Sequence, residues 1–316
     1  MKGTAAPHIA VAGNAVVDIA VRGAASTRGE GSDGWGEATQ LVDAPIEPLL
    51  GGCGAAAAYA LGRLGARTTL VSNVGAGPFG QLIGSWLGEA GVQVAGPLAA
   101  APAAAHVVQV DDQGRRRSAY HTGPPVPWRR ALEISGAAWL LAAGYGGVRR
   151  EDAAELAEVF VALRRHGVAI AFDPGPWFAR CLERDAMLGL WNAVDLLCGT
   201  TAELARWLPV QASATGDLDA EAVARAVRSC GVGTAVVKDG ARGAAYAGPD
   251  EVSGLAPAEP VRGRSSVGAG DTFDARLLWG LASDESLPRA VAAAVSLATG
   301  AVRHGRGVLG AFAGGE

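Results

Sequence analysis

The sequence predicts an α/β fold built on a mostly parallel sheet with helices on both faces. Three observations carry that expectation. Short apolar runs alternate with helix-forming stretches along most of the chain, which is the rhythm of strand–helix–strand units. Glycine-rich turns separate several of these runs from the helices that follow, the usual junction where a ligand meets a helix N-terminus. The chain has 316 residues, of which 49% are hydrophobic and 18% charged, enough to bury a sizeable core and too apolar for global disorder. No repeat or linker divides it, so it reads as one domain over residues 1–316.

The elements follow in order. His8 to Val21 reads as one buried strand, with Asp18 interrupting its apolar run near the end. Arg22 to Gly36 is rich in Gly and Ser and reads as a loop or hairpin tip, and Gln40 to Ile46 as a short strand. Gly51-Gly52-Cys53-Gly54 opens an Ala- and Leu-rich helix from Ala55 to Leu64, which Gly65 closes. A strand from Thr68 to Val74 follows, then a helix from Gln81 to Ala90. His106 to His121 alternates around Asp111-Asp112-Gln113-Gly114 and reads as a hairpin. The rhythm then resumes with strands at 137–143, 168–173, 194–198 and 234–238. Helices are expected at 151–166, 180–189, 202–208, 220–230 and 286–302. Ala244-Ala245-Tyr246 returns from the turn 239–243. Segments of about 18–45 and 104–122 fall outside the alternation and are expected to form a small separate sheet acting as a lid.

Composition narrows the function classes. Net charge is −4, from 27 basic and 31 acidic residues, which gives no basic face for nucleic acid or membrane. The four cysteines, Cys53, Cys181, Cys198 and Cys230, are too far apart in sequence for a zinc motif and are expected as free thiols. No signal-like or membrane-spanning run is evident, so a cytoplasmic protein is expected.

The stretch that points to chemistry is Ser265-Ser266-Val267-Gly268-Ala269-Gly270-Asp271-Thr272-Phe273. Small residues let a backbone approach a ligand closely, with several N–H groups turned the same way. A helix starting here adds positive potential, which suits a phosphate. Asp271 then stands where a base can take a proton from an attacking hydroxyl. The other reading of these residues is a glycine-rich turn capped by Asp271.

Taken together, the patches make the chain resemble the ribokinase-like (PfkB) carbohydrate kinase family over nearly its full length. They are Gly13-x4-Asp18, Gly51-Gly52 before an Ala-rich helix, Val74-Gly75 with Phe79-Gly80, Gly240 with Gly243, and the run Gly268 to Phe273. The resemblance implies a Rossmann-like domain with a small β lid. It implies transfer of the γ-phosphoryl group of ATP, with Mg2+, to an alcohol of a sugar or nucleoside. Asp271 matches the catalytic base, and Gly268, Ala269 and Gly270 match the anion hole. Gly240 and Gly243 are expected beside the nucleotide, with Lys238 at a strand end close to its phosphates. Asp18, Asn14, Gly51, Gly52 and position 56 are expected to line the acceptor pocket. Glu203 matches an acid that holds Mg2+ through water. A homodimer paired through the lid is expected from its exposed strand edges.

The sequence also departs from the family pattern. Ala56 stands where an Asn usually contacts sugar hydroxyls. Ala76 and Gly77 occupy places where acids are usual. Thr200 replaces the Asn that precedes Glu203 by three positions. Ser265-Ser266 replaces a lead-in whose Asp contacts a monovalent cation in many members, which puts K+ dependence in doubt. Loss of a pocket Asn costs about 1–3 kcal/mol with a polyhydroxy sugar, which points either to a less usual acceptor such as a nucleoside or modified sugar, or to a replacement contact from another loop. Trp35, on the expected lid tip, is a candidate for stacking on a base. His106 and His121 are expected in structural or lid roles, and Asp173 as a turn former or a group near the substrate. The competing function is a catalytically weak relative that binds a metabolite or nucleotide and acts as a regulator.

Overall fold

A computed structural model describes residues 6–24, 42–96, 100–111, 116–144, 148–210, 218–261 and 265–313. Its first half contains strands β1 (His8–Gly13), β2 (Val16–Ala24), β3 (Glu47–Gly51), β4 (Arg67–Val71), β5 (Gln93–Ala95), β6 (Ala104–Asp111) and β7 (Arg116–His121), with helices α1 (Cys53–Arg63) and α2 (Gly77–Glu89). The second half contains β8 (Trp139–Ala143), β9 (Ala169–Asp173), β10 (Leu196–Thr200), β11 (Thr234–Lys238), β12 (Ala244–Ala247) and β13 (Ser253–Ala256). Between and after them come α3 (Asp152–Arg165), α4 (Gly175–Cys181), α5 (Arg184–Trp191), α6 (Thr201–Ala205), α7 (Ala220–Ser229), α8 (Ala269–Ala282), α9 (Leu287–His304) and α10 (Gly307–Ala311).

Among the described residues the large sheet has nine strands in the order β13-β12-β11-β10-β9-β8-β1-β4-β5. From β11 to β5 all pairs are parallel, and β12 and β13 add an antiparallel edge. Strand β1 is buried along its whole length, as a central parallel strand covered on both faces must be. Its side chains alternate between two cores: Ala10 and Ala12 face one, Ile9 and Val11 the other. Helices α3, α5 and α7 pack in the first core, and α1, α8 and α9 in the second.

The smaller sheet has the order β3-β2-β6-β7. It corrects the expectation of a single strand over His8 to Val21. The chain leaves the large sheet after Gly13 and enters the small one at Val16. Residues 8–17 are all buried, so an unbroken apolar run hid the change of sheet. The strand expected over Gln40 to Ile46 is also displaced. Residues 42–46 are not in a strand, and the pairing begins at Glu47, opposite Ala20. The hairpin formed by β6 and β7 is present as expected. Residues 25–41, including Trp35, lie outside the described residues.

Two further differences concern helices. Pro174-Gly175-Pro176 opens a helix, α4, that was not expected, because proline is tolerated in a first helical turn where its missing N–H has no partner. The helix expected over 180–189 is found as α5, shifted to Arg184–Trp191, and α4 precedes it. The elements β5, β13 and α10 are three to five residues long, too short for a periodic signal.

Candidate active site

The C-terminal ends of the parallel strands open into a cleft of about 730 Å3 that also reaches the small sheet. Asp173 ends β9, Thr200 ends β10 and Lys238 ends β11, and all three line it. Gly268 to Asp271 line it too, as do Asp18, Gly51 and Gly52 from the first part of the chain and Gly240 and Gly243 from the turn after β11. The expected site residues therefore converge, although they come from both ends of the chain.

Helix α8 begins at Ala269, with Gly268 as its cap in the left-handed region at φ 75°. A Cβ at Gly268 would lie 2.8 Å from the backbone nitrogen of Val308, so both conformation and space demand glycine. The turn is closed by the Ala269 N–H donating to the Ser266 carbonyl at 3.3 Å and the Thr272 N–H to the Gly268 carbonyl at 3.0 Å. Gly270 and Asp271 supply the next N–H groups of the first turn, which helix geometry leaves without intrahelical partners. This lining is thus a helix N-terminus presenting backbone donors to the cleft.

Asp271 is half-buried, yet its pKa is pushed up to about 6, first because the cleft walls strip water from it. The Lys238 ammonium opposes this shift, the Asp173 charge adds to it, and a hydrogen bond from the Cys53 thiol opposes it. A more distant charge on Asp18 also adds to the rise. Burial and the neighbouring acids hold Cys53 as a neutral thiol with its pKa well above the usual range, so it acts here as a donor.

Asp18 sits near the start of β2, paired in register with His106 of β6. His106 Nδ1 lies 3.3 Å from Asp18 Oδ1, and a carboxylate partner makes Nδ1 the donor. The His106 ring meets Tyr120 edge to face, with centroids 5.3 Å apart. Tyr120 in turn lies 6.4 Å from the Trp177 ring. Gly51 is required beside Asp18, since a Cβ there would fall 2.2 Å from Asp18 Oδ2.

Asn14 and Ala56 stand outside the cleft lining, while Glu203 and Lys238 line it and are engaged by neighbouring groups. Asn14 is buried behind Tyr120, donating from Nδ2 to its hydroxyl at 3.1 Å, and is not among the cleft-lining residues. Ala56 is fully buried on α1 in the apolar core. The Glu203 carboxylate accepts the Thr200 N–H at 2.8 Å while Thr200 Oγ1 accepts the Glu203 N–H, a capping box that starts α6. Lys238 faces two carboxylates, Asp173 and Asp274. Cys53, His106, Tyr120 and Asp274 were not assigned to the site from sequence. Cys53 carries a weak signal, since it lies between Gly52 and Gly54 at the start of α1.

Among the described residues no group of three or more His, Cys, Asp or Glu side chains is arranged to hold a metal ion. No helix among them is long and apolar enough to cross a membrane.

A family model described as pfkB family carbohydrate kinase matches residues 42–308. The chain belongs to that family. Its fold is shared with ribokinase from Thermotoga maritima (TM-score 0.72, 20% identity, covering 96% of this chain and 95% of that one). A ribokinase from Arabidopsis thaliana, solved with ribose and ATP, gives a TM-score of 0.73 at 20% identity, covering 97% and 96%. Phosphofructokinase-2 from Escherichia coli, solved with potassium, gives 0.73 at 21% identity, covering 94% and 93%. A search of curated proteins finds no match.

Proposed function

We propose that this protein is an ATP-dependent kinase that transfers the γ-phosphoryl group to a hydroxyl of a sugar or nucleoside. The observation that carries this reading is the placement of Asp271 in the first turn of α8, lining one cleft with Asp18, Gly240 and Gly243. An alcohol is a weak nucleophile at neutral pH, so a carboxylate on its proton lowers the barrier by about 10²–10⁴-fold in rate. The acceptor O–H gives its proton to Asp271 as its oxygen bonds to the γ-phosphorus. The bond from that phosphorus to the bridging oxygen breaks, and ADP leaves with the electron pair. Negative charge on the transferred oxygens is met by the N–H groups of the α8 turn, already oriented for it.

The nucleotide reading rests on the apolar lining of the cleft. Val295, Ala298 and Val302 of α9 and Ala258 line the same cleft as Gly240 and Gly243 and give it apolar surface suited to a flat base. Mg2+ is not given a protein cage by the described side chains, so it would enter on the ATP phosphates, held by them and by water. There it would offset phosphate charge. The Glu203 carboxylate is already engaged at the start of α6, which supports a role at the helix rather than at the ion.

Within the acceptor class, a nucleoside or a sugar with a planar substituent is favoured. Tyr120, His106, Val16, Val108 and Pro176 line the cleft together with Asp18. The test is ADP release with a panel of sugars and nucleosides against the Asp271→Asn variant. Turnover no faster than that variant on every acceptor rules out the kinase. Equal kcat/KM for ribose, fructose and nucleosides rules out the narrower preference.

A further inference from the structure

The chemistry above leaves a buried ion cluster unexplained. Lys238 Nζ lies 2.8 Å from Asp173 Oδ2, and 3.1 and 2.9 Å from the two oxygens of Asp274. The three side chains are 12%, 9% and 4% exposed. Asp173 also accepts the Gly175 N–H at 2.9 Å. The cluster joins the end of β9, the end of β11 and α8, one turn beyond Asp271. Lys238 Nζ is 3.6 Å from where a Cβ of Gly270 would stand, so the ammonium rests against the backbone of the anion-binding turn. Of the 27 basic residues only Lys2 and Lys238 are lysine, and this site holds a compact point charge rather than a planar fork.

We propose that Lys238, held between Asp173 and Asp274, is the positioning residue that pins the first turn of α8, and with it Asp271 and its backbone donors, to the ends of β9 and β11. The naming of Asp271 as base rests on the kinase reading above; the clamp does not. Both carboxyl groups lie within 3.1 Å of the one ammonium, close enough for their charges to act on each other. Two ionised acids against one ammonium would leave a net negative charge beside an anion site, so the neutral arrangement is the stable one. Asp274 is the proton's holder, because burial drives its pKa well above the usual carboxylate range, while the ammonium keeps that of Asp173 below it. The groups facing this proton are Lys238 from β11, Asp173 from β9 and Cys198 from β10, with Asp271 on the same helix and Cys53 of α1 bonded to Asp271.

The test begins without activity. Carboxyl carbon NMR of the intact protein at pH 7 is expected to show Asp274 neutral and Asp173 ionised; both ionised overturns the neutral arrangement. Hydrogen exchange then reads the clamp. Lys238→Met is expected to speed exchange at the amides of residues 270–274 by about tenfold or more, with α3 and α7 unchanged. Asp274→Asn keeps an acceptor for Lys238, so it is expected to hold the protection that Asp274→Leu loses. If Lys238→Met does not fold, the Asn and Leu pair decides, and equal exchange in those two overturns the clamp. In kinetics, Lys238→Met is expected to lower kcat by about tenfold or more while each KM moves less than about threefold. The acid limb of kcat/KM is expected to shift upward, since the ammonium no longer favours the Asp271 carboxylate. A wild-type protein without turnover would sink the kinase reading and leave the exchange and NMR results to judge the clamp.

Discussion

The acidity of Asp271 makes the most direct prediction. A base must be ionised to act, and this carboxyl titrates near 6 instead of near 4 because the cleft desolvates it. At pH 7 it is about nine-tenths ionised, and at pH 5 about one-tenth, so kcat/KM is expected to fall by about tenfold between them. The sign is fixed by the group: the folded-state value is raised, so the active carboxylate is lost as pH falls through 6 and not at 4. The assay is ADP release at subsaturating acceptor from pH 4.5 to 8, in buffers of constant ionic strength. Asp271→Asn should lower kcat by about 10²–10⁴-fold and abolish the limb near 6. A limb at 4 would refute the desolvation argument. A limb near 6 that persists in Asp271→Asn would refute the assignment of the base.

Other perturbations test single pieces of the geometry. Cys53→Ala removes a donor to the Asp271 carboxylate, so the acid limb should rise by about half a unit to one unit, read from the same pH profile. Gly51→Ala places a methyl 2.2 Å from Asp18 Oδ2 and should raise the acceptor KM by about tenfold or more, with the ATP KM nearly unchanged. Gly268→Ala meets both the left-handed backbone and the Val308 nitrogen, and should lower kcat by about 10²-fold as the donors move. Thr200→Ala breaks the capping box of α6 and should cost about 1 kcal/mol, measured as a lower urea midpoint.

Much of the site was legible because it is written in local backbone demands. Gly268, Gly51 and Gly52 announce themselves by composition, since few residues other than glycine accept such turns or such close approach. Asp271 was legible for the same reason, as the acid that follows a glycine turn into a helix. Strand β11 is found at its expected bounds, because a short apolar run ending at a lysine and a glycine turn has one plausible register. By contrast, the change of sheet after Gly13 left no mark, since both sheets bury the same kind of residue.

What the sequence by itself determined is the alternation that makes a parallel sheet, the glycine turns at its strand ends, and the acid beside the glycine turn that opens α8. Each of these depends on neighbours within a few positions. Only the tertiary structure decided what the polar side chains face. It set His106 against Asp18 across 88 positions and gave Lys238 its two acids at separations of 65 and 36. It placed the Cys53 thiol on Asp271, moved Asn14 behind Tyr120 and engaged Glu203 in a cap. Charges and donors acquire their properties from whatever the fold brings within a few ångströms, and burial then magnifies the result. The acidity of Asp271 is therefore a property of the assembled cleft, whereas the glycines before it are a property of the chain.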